Sequence, residues 1–230
     1  MTVSLWISFL FLLLFTVPGE TETRPDWIPV GAVTPQLERH ALSHREFLQN
    51  RSGEVQRQGL RAIRSDLDRF DLEDLRIAVV PLVVDMLGME YRILSVSSSY
   101  LVDSPTRVEA LTLLADIGGE QARRQLRETI DLDRDSSVRA TAAALLSLNP
   151  GEYPDEDLLA IARALQRATR LRESEEELRR LLVAVERIIP LAWNREPPEL
   201  LQALQAIVTG PYSSSLRRFA LSMLEDLARR

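Results

Sequence analysis

The chain has no cysteine and no lysine, and it carries only two histidines in 230 residues. Lack of cysteine excludes disulfides, thiol nucleophiles, zinc–thiolate centres and lipid attachment through a cysteine. All 28 basic residues are arginines. Arginine forms bidentate ion pairs and keeps its charge, so such a surface can be a specialised binding face. Here the arginines mostly alternate with acids at helical spacing, which reads as ion-paired solvated surface, a usage that a GC-rich genome also produces. The net charge of -6 argues against nucleic acid as a general partner. No Gly-x-Ser-x-Gly elbow occurs, and two histidines on one turn do not supply a base for a distant nucleophile. No catalytic residue and no cofactor are therefore assigned.

Long apolar runs are equally scarce. The one that stands out, Leu5 to Val17, is followed by Pro18-Gly19 and the polar Glu20-Thr21-Glu22-Thr23. It has the length of a signal-peptide core and falls short of the roughly 20 residues of a membrane span. The expectation is an exported protein with residues 1–19 as a signal peptide cleaved near Gly19. The alternative is an uncleaved anchor, since no positive residue precedes the run. Residues 20–34, with Pro25 and Pro29, read as an extended linker.

What is present in abundance is helical pattern. Thr34-Pro35 marks a helix start, with the pattern running to about Leu48. Val55, Gly59, Ala62 and Ile63 then give a loose version of a phrase that becomes clear later, and Leu72 to Met86 supplies an apolar helix expected to bend at Pro81. Residues 88–103 read as an irregular insertion, which closes a divergent N-terminal region, 35–103. From 104 to 230 the phrase recurs: Thr106-Arg107 with Ala110, Leu113, Leu114 and Ile117; Val138-Arg139 with Ala142, Leu145 and Leu146; Leu216-Arg217 with Ala220, Met223, Leu224 and Leu227. Small and large apolar residues at i, i+3, i+4 and i+7 define one helix face that packs closely on a neighbour.

Helix punctuation falls between these copies. Ser104-Pro105 opens a helix that Gly118-Gly119 stops, and Glu120 to Leu132 returns. Ser136 opens the next, which ends at Asn149-Pro150-Gly151, with a partner from Pro154 to about Arg172. Ser174 and Glu177 form a capping box for a helix reaching Leu191. Pro197-Pro198 starts its partner, which ends at Gly210, and Ser213 to Ser215 begin the last helix. Arg107, Arg139, Arg179 and Arg217 are 32, 40 and 38 positions apart, the length of a two-helix repeat. The predicted fold is all-α, an α-solenoid of antiparallel helix pairs.

Val138-Arg139-Ala140-Thr141-Ala142-Ala143-Ala144-Leu145-Leu146 is similar to the core of HEAT-like repeats of the phycobilisome-lyase type, over roughly 104–230 and more weakly 52–86. Families built on these repeats include scaffolds, regulatory subunits and pigment-attachment factors. The resemblance also implies that second helices line the concave side of the stack. There Arg123, Arg124 and Arg127, followed by Arg163, Arg167 and Arg170, make a basic band, whereas the next second helix offers Gln202 and Gln205. This band is the candidate partner-binding face. It suits a protein partner with an acidic segment.

Three weaker signals remain. His40 and His44 share a helix face that can hold a metal. They lack the internal glutamate of the zinc-protease motif and have arginine neighbours, so they read as solvated surface histidines, with no metal site assigned. Were they a metal-dependent enzyme centre, the protein would bind a transition metal. Asp131-Leu132-Asp133-Arg134-Asp135 starts like an EF-hand loop but has Ser136 and Ala142 where glycine and the bidentate glutamate belong, so it reads as a polar turn whose Asp135 or Ser136 caps the next helix. Asn50-Arg51-Ser52 matches a glycosylation acceptor, meaningful only in a secreted eukaryotic chain. The expected function is that of an exported, non-catalytic scaffold binding an envelope or periplasmic protein.

Overall fold

The computed structural model describes residues 27–29, 31–93, 102–149, 151–192 and 197–229. The candidate signal peptide lies outside them, as does most of the linker. Every regular element among the described residues is helical, with no strand. In order these are α1 Pro35–Leu48, α2 Gly53–Asp66, α3 Leu72–Ala78, α4 Val80–Ile93, α5 Ser104–Ile117, α6 Glu120–Leu132, α7 Ser136–Leu148, α8 Pro154–Leu171, α9 Glu175–Ile188, a 3-10 turn Ile189–Leu191, α10 Pro198–Thr209 and α11 Ser214–Ala228.

Most helices pack on a chain neighbour, although α2 does not touch α3 and α9 does not touch α10, and most also pack on the next helix but one. One set of contacts joins α2 to α5, α5 to α7, α7 to α9 and α9 to α11; a second joins α4 to α6, α6 to α8 and α8 to α10. The repeated phrase supplies the seam between the sets. Ala110, Leu113, Leu114, Ile117, Ala142, Leu146, Ala220 and Met223 are all buried. Alanine at the small position lets the helices approach, and the large residues fill the space on either side.

The linker expectation needs correction where it is described. Ile28 and Val33 are buried, and the Trp27 indole donates to the Ala78 carbonyl at 3.1 Å. The Arg45 guanidinium lies 4.8 Å from the centre of the same ring. Residues 27–29 and 31–33 are thus docked as a strap on α1, α3 and α4. Thr34 caps α1 through its hydroxyl, as its position before Pro35 suggests.

Four boundaries differ from the sequence expectation. The bend at Pro81 is a break: α3 ends at Ala78, Val79 has φ -113°, and α4 restarts at Val80. Proline lacks the amide that would bond one turn back and its ring crowds that carbonyl, so the chain restarts a helix with Pro81 in its first turn. The insertion begins later than expected, because α4 runs to Ile93 and so takes in 88–93; residues 94–101 lie outside the described ones. Asp103 replaces Ser104 as the cap of α5, its carboxylate accepting from the Thr106 amide at 2.7 Å. Asp135, one of the two caps expected for α7, serves through the Ser137 amide, whereas α9 stops at Ile188, short of Leu191, because Pro190 follows.

Candidate functional site

The arginines of the repeated phrase are structural anchors. Arg107 is 5 % exposed and reaches across to Asp133, the residue that closes α6, while also donating to the Val102 carbonyl. Arg139 does the same one pair later, donating to Glu173 just beyond α8 and to the carbonyls of Asp133 and Arg134, the former at 2.9 Å. Each arginine therefore ties a first helix to the far end of its own partner. After α10 the chain reads Gly210-Pro211, with no acid, and Arg179 instead donates to the Ser215 hydroxyl at 3.0 Å. That copy is also the weakest in the sequence, with Glu186 where the phrase has a large apolar residue.

The basic band on the second helices divides into two groups. Arg123 donates to the Asn149 carbonyl and to Asp157, and Arg127 to Asp157 at 3.0 Å and to Glu120. Asp157 is fully buried in the first turn of α8. Burial pushes its carboxyl above the ordinary range, and the two guanidinium groups oppose that shift. Arg167 donates to the Ile130 and Asp131 carbonyls, closing the last turn of α6. These three cations hold α6 against α8. Arg124, Arg163 and Arg170 are exposed: Arg124 pairs along its own helix with Glu128 at 3.1 Å, and Arg163 stands 3.8 Å from Glu199.

Arg124 and Arg163 face each other over a groove of about 470 Å³ between α6 and α8, with Leu159 and Ala160 in its lining. Four acids, Glu120, Glu128, Asp131 and Glu156, share that lining with three arginines. The groove is accordingly of mixed charge. The Asp131 carboxyl is raised by burial, with Arg167 and Arg163 acting against that. A second cavity, of about 270 Å³, lies between the strap, α1 and α4, lined by Trp27, Leu48 and Met86 among others. Sequence reasoning passed over it because Trp27 sits in a proline-flanked stretch with no helical period.

The histidine expectation is overturned. His44 is 5 % exposed and Asp66 1 % exposed. Asp66 Oδ2 lies 2.8 Å from His44 Nε2 and 3.1 Å from His40 Nδ1. The i, i+4 spacing on α1 brings the two imidazoles together, and the last residue of α2 supplies the carboxylate between them. Burial drives the His44 imidazole below its ordinary range, against the effect of the bond to Asp66. The His40 ring, about a third exposed at its side chain, stands edge-on to Phe70 at 5.4 Å. Asp66 was missed because it ends a helix carrying Arg61 and Arg64 and resembles an ordinary terminal acid.

The EF-hand-like run forms a turn, as expected, but its centre is not solvated: Asp133 is 3 % exposed and accepts from Arg107 and from the Asp135 amide. Asn50 accepts from the Ser52 amide in an exposed turn. No described helix is long and apolar enough to cross a membrane. Comparison with protein-family models, with curated proteins and with solved structures finds no match to this chain.

Proposed function

We propose that the helix pairs from residue 104 onward are HEAT-like repeats stacked as an α-solenoid. In this reading the protein is exported and non-catalytic, a scaffold whose second-helix face binds an acidic segment of another envelope or periplasmic protein. The next-but-one contacts of α5, α7, α9 and α11 and of α6, α8 and α10 support this reading, since stacked two-helix units bury a continuous core and leave an extended face for recognition.

One observation carries the binding part. Arg124 and Arg163 keep their guanidinium groups exposed on either side of a groove whose lining includes Leu159, while Arg123, Arg127 and Arg167 beside them are taken up by the fold. An acidic segment laid in the groove gains charge-assisted bonds from the exposed pair, and apolar contact from Leu159.

A photoreactive amino acid in place of Leu159, in the full chain expressed in its native cells, tests this. A discrete adduct with one protein is expected, lost when Arg124, Arg163 and Arg170 are changed to glutamate. An undiminished adduct in the triple variant, or none from the parent, sinks the reading. N-terminal mapping of the same material addresses export: a species starting near Glu20 is expected, and an intact Met1 in the membrane fraction would replace it with a tethered scaffold.

A further inference from the structure

We propose that His40, His44 and Asp66 bind one divalent transition-metal ion of the zinc or cobalt class. This is independent of the partner-binding reading and lies in a different part of the molecule, where α1 crosses the end of α2.

Three donors of the right chemistry converge there. One ligand atom from each residue can be chosen so that all three lie within 4.8 Å of one another. Both imidazole nitrogens already address the same carboxylate oxygen, at 2.8 and 3.1 Å. Tetrahedral coordination at metal–nitrogen distances near 2.0–2.1 Å needs ligand atoms about 3.3 Å apart. The two edges that meet at Asp66 are thus within about half an ångström of that, and the edge between the two imidazole nitrogens, which can be as long as 4.8 Å, must shorten. The remaining adjustment falls to His40, the more exposed of the two rings, which is not enclosed as His44 is. Two imidazoles and one carboxylate form a set that holds zinc and related ions while leaving positions for water.

Charge points the same way. Asp66 is a sealed carboxylate whose close partners are two imidazoles; its nearest guanidinium is that of Arg69, at 3.8 Å and 63 % exposed. A divalent cation seated among the three donors would have no guanidinium to displace. The arginines next to the histidines in sequence do not occupy the spot: Arg45 is stacked on Trp27, and Arg39 is exposed. Coordination balances simply. The metal takes the lone pairs of His40 Nδ1, His44 Nε2 and Asp66 Oδ2, and any proton those nitrogens carried moves to the other ring nitrogen or leaves to solvent. The other nitrogen of His44, Nδ1, is buried with no hydrogen-bond partner in the structure. The inner imidazole therefore lacks the outer-shell acceptor common in high-affinity sites, which places this one among the weaker ones.

The test uses tag-free full chain, treated with chelator and titrated with Co²⁺ and with Zn²⁺. One equivalent of Co²⁺ is expected to give ligand-field bands of nitrogen–oxygen coordination, with Zn²⁺ displacing it and raising Tm. Two variants keep the result readable: His40→Gln alters the exposed ligand, and Asp66→Asn keeps the shape and an acceptor while removing the charge. Loss of an outer-shell partner alone typically weakens a metal site by about 10–100-fold, so each ligand variant should lose at least that and show no Tm response to Zn²⁺. Absence of stoichiometric binding by the parent overturns the proposal. So does parental affinity in His40→Gln, provided the variant shows the parental helical signal.

Discussion

Arg107 holds Asp133 with two parallel hydrogen bonds, Nε to Oδ2 at 2.9 Å and Nη2 to Oδ1 at 3.1 Å, where the Asp133 side chain is sealed from water and that of Arg107 nearly so. A buried fork of this kind adds little over a well-packed apolar pair, but breaking it strands a charge. Asp133→Ala should therefore lower unfolding free energy by about 3–5 kcal/mol. The double change Arg107→Met with Asp133→Leu should cost much less than that single one. Urea denaturation of both decides it, and a loss below about 0.5 kcal/mol in Asp133→Ala would show the anchor to be dispensable.

Gly59 sits where α2 crosses α1. A Cβ built on it would stand 2.6 Å from Phe47 Cβ. Alanine in place of glycine inside a helix ordinarily stabilises by about 1 kcal/mol. Here the clash is with the stem of a neighbouring side chain, and overpacking of this sort typically costs about 1–3 kcal/mol. The clash wins, so Gly59→Ala should lower Tm. A raised Tm would mean that the two helices can separate freely.

Acid stability depends on the seam between helix starts. The Ser104 hydroxyl donates to Asp135, and this bond, followed by the Ser137 and Val138 amides and the nearby Arg107 charge, holds the Asp135 carboxyl below its ordinary range against the effect of burial. A carboxyl lowered by folding contributes stability above its unfolded value, and that contribution disappears as pH falls through the folded one. Ser104→Ala removes the leading cause. Its acid-unfolding midpoint should move to higher pH, while the loss at neutral pH, for one hydrogen bond at a half-buried site, stays at about 1 kcal/mol. Superimposable acid-unfolding curves for the two proteins would show that the bond does not set the carboxyl.

Much of this fold could be read from caps and periodicity. Thr34-Pro35, Gly118-Gly119, Pro154 and Ser213 lie within a residue of the helix ends they signal, since each acts through its own backbone geometry. What escaped depends on partners remote in sequence. Nothing local tells that Asp66 will be enclosed by two histidines of the previous helix, or that Glu177, half of a capping box, will accept from the Ser136 hydroxyl. Asp133 looked like a turn residue for the same reason, its guanidinium lying 26 positions back. For the arginine band, spacing identified the helix faces correctly but could not show that the helices α6 and α8 spend half of those cations on each other.

That division gives the sharpest contrast between neighbouring residues. Arg124 is 75 % exposed on its side chain and Arg127 13 %. Arg127→Glu would set a fourth carboxylate beside Asp157, Glu120 and Glu156 and leave Asp157 with Arg123 as its remaining close cation. Breaking such a partly sealed cluster typically costs about 3–5 kcal/mol, enough to melt a domain of ordinary stability near 37 °C. Arg124→Glu exchanges one solvated i, i+4 pair for a repulsion and should stay within about 0.5–1 kcal/mol of the parent. Thermal unfolding of the two single variants separates them. Equal losses would mean that the inward pairs are screened like surface ones, and partner binding would then have six arginines to draw on instead of three.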